Sequence, residues 1–329
     1  MKLLHIGKKG NVERYSEKVD LAKQMEIIDL PAGLSEEEYL QKGRDADFMI
    51  ADAMAVVPGG LISQMPNLKL IHSEGVGFNF FDIQTAKDRG IYVCNCKGMN
   101  DKAVAEQAIL LMLGMLRGVC TGNRAVCEGR QIQVKEGYMK RGDLLELADC
   151  KVGLIGFGDI AKALAKLLKS FDVETYYYKN KPLESQIETE YATSYLTLDE
   201  LLKTCNMISL HAPVTTDTTN MVNDSFFEKM QTGSYLVNTA RGELVDSQAL
   251  IRALKSGKIK MAGLDTIAGE PVSLNNILIE QPKEIRDKII FSPHIGGITA
   301  SSFKRGYAIV WENIKYICEG KKPKNIVNP

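Results

Sequence analysis

"VGLIGFGDIAKALAKLL", residues 152–168, decides the fold. A short apolar run leads into Gly156-x-Gly158-x-x-Ala161, after which apolar residues recur at Ile160, Leu164, Leu167 and Leu168. That change of period predicts a strand, a tight turn and a helix in succession. Two glycines let the backbone approach a pyrophosphate closely. The open N–H groups and positive dipole end where the helix begins, at Asp159 and Ile160, attract its charge. The stretch therefore predicts a dinucleotide-binding unit.

Working outward, five further strands are expected after this one, at "ETYYY", "MISLH", "YLVNTAR", "KMAGLD" and "IIFSPH". Six strands with crossovers make a doubly wound α/β sheet, in which ligands bind at the carboxyl ends of the strands. The residues met there are Gly156, Lys179, His211, Arg241, Asp265 and His294. Upstream, the runs "KLLHIG", "FMIADA", "LKLIHSEG" and "GIYVCN" alternate with helical stretches at Ser35–Lys42 and Asp82–Arg89, a second βα series. Between the two series, Asp101 to Val119 is apolar on nearly every face, as expected of a helix buried between domains or subunits.

About 20 residues beyond the glycines, such folds place an acid that accepts hydrogen bonds from the adenosine ribose. Counting from Gly158 lands instead on Tyr178 and Lys179, followed by Asn180 and Lys181. A carboxylate there would repel a 2′-phosphate. Lys179 and Lys181 can pair with one and Asn180 can donate to it, so NADP(H) is expected over NAD(H), with use of both possible in principle.

The 329 residues carry 41 Lys plus Arg against 41 Asp plus Glu, so no global basic field points to nucleic acid or an anionic membrane surface. The longest apolar run, Ala108–Leu116, is far short of the roughly 20 residues that span a bilayer. "MKLLHIG" reads as a first strand rather than a secretory signal, and the expected location is cytoplasmic. Seven scattered cysteines form no C-x-x-C pair, and Cys94 and Cys96 are expected as free buried thiols. Four histidines (5, 72, 211, 294) offer no cluster for a catalytic metal; His5 and His72 are expected to pack in the core.

Arg241 in "VNTARGELVDSQAL", Asp265 and Glu270 in "MAGLDTIAGEP", and His294 in "FSPHIGG" each follow an expected strand. Reduction of a 2-oxo acid, the chemistry implied by a resemblance to the D-isomer-specific 2-hydroxyacid dehydrogenase family, requires a cation to hold the carboxylate and polarise the carbonyl, an acid to protonate the developing alkoxide, and a positioned hydride donor. Arg241 suits the first task through its planar fork. His294 suits the second because imidazole changes charge near neutrality, and Glu270 on its other nitrogen favours the imidazolium.

In order and spacing, these stretches resemble the D-isomer-specific 2-hydroxyacid dehydrogenase family, and the likeness extends from "LKLIHSEGVGFN" and "AVAEQAILLMLGMLR" through "SLHAPVTTDTTNMVN" to "SPHIGG". The resemblance implies a flavodoxin-like substrate-binding domain, residues 1–99 plus 295–329, interrupted by a Rossmann-type dinucleotide-binding domain, residues 100–294. It implies a cleft that closes by hinge motion, and a homodimer.

For the residues, it implies catalytic roles for Arg241, Glu270 and His294, and cofactor contacts from Gly156, Gly158, Asp159, Ile160, His211, Ala212, Pro213, Thr239, Ala240, Asp265 and Gly296. Asp265 would accept from the nicotinamide carboxamide. The N–H groups of Val76 and Gly77 would hold the substrate carboxylate, with Met54 facing the substrate. The sequence departs from the family's usual acid at Lys179 and its usual Asp-Asn at Asn79-Phe80.

The expected activity is hydride transfer between NADP(H) and a small 2-oxo acid such as glyoxylate, hydroxypyruvate or a branched or aromatic acid. The alternatives are a phosphite-type dehydrogenase and a dinucleotide-sensing corepressor. A formate dehydrogenase would need no Glu270–His294 acid–base pair.

Overall fold

The computed structural model describes residues 1–329. The chain forms two compact units, residues 1–100 with 298–329, and residues 101–297.

In the first unit, β1 (Lys2–Ile6), β2 (Glu26–Leu30), β3 (Phe48–Ala51), β4 (Leu70–Ser73) and β5 (Tyr92–Cys94) form a wholly parallel sheet of order β2-β1-β3-β4-β5. Every residue of β3 and β4 is buried, as a sheet covered on both faces requires. One face packs Leu3, Phe48, Ile50 and Leu70 against Tyr307, Val310, Trp311 and Ile314 of the helix Ala300–Cys318. The other buries Met49 and Ile71 with Leu61, Ile62 and Met65. Helix starts follow local chemistry: Ser35 and Glu38 form a reciprocal capping box, and Asp82 caps Thr85 N.

In the second unit, β6 (Lys151–Ile155), β7 (Glu174–Tyr178), β8 (Thr193–Tyr195), β9 (Met207–Leu210), β10 (Ser234–Asn238), β11 (Ile259–Leu264) and β12 (Ile289–Phe291) form a parallel sheet of order β12-β11-β10-β9-β6-β7-β8. The order reverses between β6 and β9, the point where doubly wound sheets bind dinucleotides. The expected strands number six and the sheet has seven. The addition, β8, is a three-residue "TSY" edge strand with no apolar run to announce it. The helix Asp101–Leu116 is buried along most of its length against the helix Asp159–Ser170 and β10 to β12, which accounts for its apolar faces within this unit. A Cβ on Gly263 of β11 would lie 2.9 Å from Leu111 Cβ, so the glycine sets how closely helix and sheet approach. No single helix is long and apolar enough to cross a membrane.

Candidate active site

The glycine turn is wedged between its neighbours. Gly156 N donates to Tyr178 O at 2.9 Å and His211 N donates to Ile155 O at 2.7 Å, joining the ends of β6, β7 and β9. Gly156 has φ 89°, and a Cβ there would sit 2.6 Å from the His211 carbonyl oxygen, so only glycine fits. Gly158, which precedes the helix Asp159–Ser170, has open space where its Cβ would be. A backbone bare of side chains at a helix N-terminus is what a pyrophosphate requires.

Tyr177 organises the next loop. Its buried hydroxyl accepts from Leu183 N at 2.7 Å and donates to Glu188 Oε1 at 2.8 Å, while Phe157 packs on its ring at 4.8 Å between centroids. The segment Tyr178–Pro182 is thus pinned at both ends. Lys179 is half-buried, Asn180 and Lys181 are exposed, and neither ammonium is ion-paired with a carboxylate. Nothing local in the sequence singles out Tyr177 from Tyr176 and Tyr178 except alternation along the strand.

Past β9, His211 Nε2 lies 2.9 Å from Ser209 Oγ, and burial lowers its pKa to about 4, leaving a neutral ring beside Ala212 and Pro213. Past β10, Thr239 is 7% exposed and its hydroxyl has no partner, an orphan that a ligand's polar group would satisfy. Ala240 N donates to Asn238 Oδ1 and Asn238 Nδ2 to Arg241 O, which fix the turn carrying Arg241. The Arg241 side chain is exposed, with one bond, Nη1 to Ala240 O at 2.8 Å. Gly242 then runs against the 265–270 segment so closely that a Cβ would lie 2.0 Å from the Ile267 carbonyl carbon.

His294 Nδ1 is 2.6 Å from Glu270 Oε2, and Glu270 Oε1 accepts from Ile267 N at 2.9 Å. With Nδ1–H donated to the carboxylate, His294 Nε2 faces outward on a ring that is about half exposed. His294 has φ 53°, a left-handed conformation that costs energy in a non-glycine residue, and its N donates to Asp265 O at 2.9 Å. Asp265, 3% exposed, holds this turn: it accepts from Ser292 Oγ at 2.5 Å, Ile295 N at 3.1 Å and Gly296 N at 2.8 Å. Three of its roughly four acceptor positions are therefore used inside the protein. A Cβ on Gly296 would lie 2.8 Å from Asp265 Oδ2. Gln107, which sequence reasoning passed over, supports Ser292 Oγ at 2.9 Å.

In the first unit, four carbonyls around the turn after β4 are occupied. Cys96 Sγ reaches Ser73 O, Cys96 N donates to Gly75 O, Asn95 Nδ2 to Val76 O, and Ser73 Oγ to Gly77 O. The N–H groups of Val76 and Gly77 have no acceptor within the protein, so the turn keeps two open donors. Met54, on the adjoining loop held by Asp52 Oδ1, is 72% exposed. Cys94 and Cys96 are both buried free thiols.

A glycine-wedged dinucleotide loop beside a carboxylate-oriented histidine and an exposed arginine defines an NAD(P)-dependent oxidoreductase. Residues 109–296 match the family described as D-isomer specific 2-hydroxyacid dehydrogenase, NAD binding domain, and the chain belongs to that family. It is similar to the glyoxylate reductase of Thermofilum pendens, 33% identical over 297 residues that cover 89% of this chain and 85% of that one. Among solved structures, apo D-mandelate dehydrogenase of Rhodotorula graminis superposes with TM-score 0.85 at 26% identity, covering 100% and 98% of the two chains. A glyoxylate reductase from Paecilomyes thermophila gives TM-score 0.80 at 26% identity, covering 99% and 98%. The chain is therefore a 2-hydroxyacid dehydrogenase whose family acts on small 2-oxo and 2-hydroxy acids.

Proposed function

We propose that this protein reduces a small 2-oxo acid to the D-2-hydroxy acid, with NADPH preferred over NADH. The observation that carries the reading is the Glu270–His294 hydrogen bond, which orients Nε2 outward as a proton donor. The glycine turn, the open space at Gly158 and the orphan Thr239 hydroxyl fit a dinucleotide, whose nicotinamide when bound supplies the hydride. Asp159, Ile160, His211, Ala212, Pro213, Ala240, Asp265 and Gly296 line the same strand ends and are assigned to it.

Arg241, with a guanidinium engaged by one carbonyl only, holds the substrate's carboxylate and carbonyl oxygens and draws charge toward the carbonyl oxygen. In the first unit, the open N–H groups of Val76 and Gly77 are assigned to a substrate carboxylate. His294 Nε2 delivers a proton to the oxygen as it becomes an alkoxide, and Glu270, bonded to Nδ1, holds the ring in place for the transfer.

Two unpaired cations, Lys179 and Lys181, beside Asn180 in a loop pinned by Tyr177, support a 2′-phosphate site. Exposed Met54, Val56 and Phe80, on loops joined by the Val57–Phe81 bridge, favour an apolar group on the substrate's third carbon, as in a branched or aromatic 2-oxo acid, over glyoxylate or hydroxypyruvate. Seven free cysteines suit a reducing, cytoplasmic setting. Val126, Ile132 and Met139, 58 to 73% exposed on the helices Val119–Cys127 and Gln131–Arg141, support a homodimer formed through the second unit.

The test is a panel of initial rates with glyoxylate, hydroxypyruvate, pyruvate, 2-ketoisocaproate and phenylpyruvate, each with NADPH and NADH. Fast oxidation of NADPH by 2-ketoisocaproate or phenylpyruvate is the expected result. Turnover with NADH alone removes the phosphate-site reading, and no turnover on any acid removes the activity.

A further inference from the structure

One buried polar group in the first unit takes no part in the chemistry above. His5, near the end of β1, is fully buried, and its Nδ1 lies 2.6 Å from Oδ1 of Asp29, its register partner on β2. The other ring nitrogen, Nε2, has no hydrogen-bond partner. It is 3.6 Å from Glu74 Oε2, which has none either. Glu74 is 4% exposed, and its second oxygen accepts from the Tyr307 hydroxyl at 2.6 Å and from Asn11 Nδ2 at 2.8 Å. Gly10 N donates to the second Asp29 oxygen at 2.7 Å. A Cβ on Gly7 would fall 2.8 Å from His5 Nε2, so glycine at that position leaves the pair room to meet.

A carboxylate this deeply buried is costly unless a cation compensates it, and no lysine or arginine contacts Glu74 or Asp29. His5 is the cation available. Burial alone would lower its pKa, but the two carboxylates around it, Glu74 and Asp29, outweigh that and raise it above 6.5. Burial would raise Glu74, yet His5 and Tyr307 hold it below 4.5. The other titratable groups facing the pair are Tyr307 on the helix Ala300–Cys318 and Cys96 beyond β5, both pushed upward by burial and by Glu74, and therefore neutral.

Glu74 opens the turn whose Val76 and Gly77 N–H groups are unbonded. We propose that the His5 imidazolium is a positioning residue for substrate binding: by anchoring ionised Glu74 from within the core, it fixes the Glu74–Gly77 turn with those donors presented to the substrate carboxylate. The inference rests on the reading of that turn as the carboxylate cradle. The pair is fully charged between the folded-state titrations of Glu74, below 4.5, and His5, above 6.5. As pH rises through the His5 titration, Glu74 loses its counter-charge and the turn its anchor. KM for the 2-oxo acid then rises without a matching change in cofactor affinity.

The experiment combines two measurements. First, imidazole NMR of the wild-type protein, whose four histidines are separable by His5→Gln and His72→Gln, reads the His5 titration directly. It is expected above the ordinary 6.5, and a titration at or below that value overturns the proposal.

Second, steady-state kinetics on His5→Gln and the isosteric Glu74→Gln are expected to show KM for the 2-oxo acid raised about tenfold at pH 7, kcat within about twofold, and the alkaline rise in KM flattened. Folded variants with wild-type KM and an unchanged KM–pH profile overturn the positioning role while leaving the proposed activity standing. A wild-type protein that turns over no 2-oxo acid takes the activity down and this inference with it. If both variants fail to fold, the wild-type titration and the KM–pH profile decide: a KM that does not follow the His5 titration overturns the proposal.

Discussion

His294 Nδ1 and Glu270 Oε2 lie 2.6 Å apart, and the glutamate is itself steered by Ile267 N on its other oxygen. The imidazole is thereby fixed in one tautomer with Nε2 outward. Glu270→Gln keeps the shape but replaces the carboxylate that accepts from Nδ1 with a neutral amide, and is expected to lower kcat by roughly 10²-fold. His294→Ala is expected to lose at least as much while leaving dinucleotide binding, measured by fluorescence titration, unchanged. Loss of binding in His294→Ala removes the proton-donor assignment.

Lys179→Asp places a carboxylate where the 2′-phosphate is proposed to sit. The ratio of kcat/KM for NADPH over NADH is expected to fall about tenfold or more. Tyr177→Phe removes the hydroxyl that joins Leu183 N to Glu188, and is expected to reduce the same ratio by a smaller factor through a loosened loop. Affinities for 2′,5′-ADP and ADP, measured by calorimetry, check both without turnover. An unchanged ratio in Lys179→Asp removes that residue from cofactor selection.

Asp265 ties the His294 turn to β11. In Asp265→Ala the N–H groups of Ile295 and Gly296 lose their acceptor, at about 1–3 kcal/mol each where they stay buried. Thermal unfolding is expected several degrees lower and kcat reduced, because the left-handed backbone at His294 loses its brace. Gly242→Ala forces a side chain into the Ile267 backbone and is expected to destabilise by about 3 kcal/mol or more, read by urea unfolding.

His72 is fully buried and lowered by burial to about 4, with Nδ1 on Ser73 O and Nε2 accepting from Asn313 Nδ2. The unfolded state binds its proton near 6.5 and the native state only near 4. Its contribution is thus fully present above 6.5 and lost as pH falls toward 4, by up to about 3 kcal/mol. His72→Gln is expected to flatten the decline in stability across that window, measured by chemical denaturation at a series of pH values. A parallel decline in both proteins assigns the acid sensitivity elsewhere.

Ile132→Glu with Met139→Glu places two charges on the apolar surface of the helix Gln131–Arg141. Sedimentation is expected to show a dimer for the wild-type chain and a monomer for the double variant. A monomeric wild type removes the dimer proposal.

What the sequence determined by itself is local. The glycine turn needs Gly156 because the backbone there has positive φ, and the 3.6-residue spacing after it fixes a helix face; both are properties of neighbouring residues. The order of strands and the residues at their ends followed from the same period changes, although the short polar β8 escaped because three alternating residues carry too little apolar signal. Tertiary structure alone decided which distant side chains meet. Asp265 clamps the turn of His294, Tyr177 staples the lysine loop, the Thr239 hydroxyl is left unpartnered, and His5 faces Glu74 across β1 and β4. These contacts depend on parallel strand register and on crossover helices closing over the sheet. They join residues whose separation along the chain carries no periodic signature, which is why His5 reads as an ordinary core residue until the fold places two carboxylates around it.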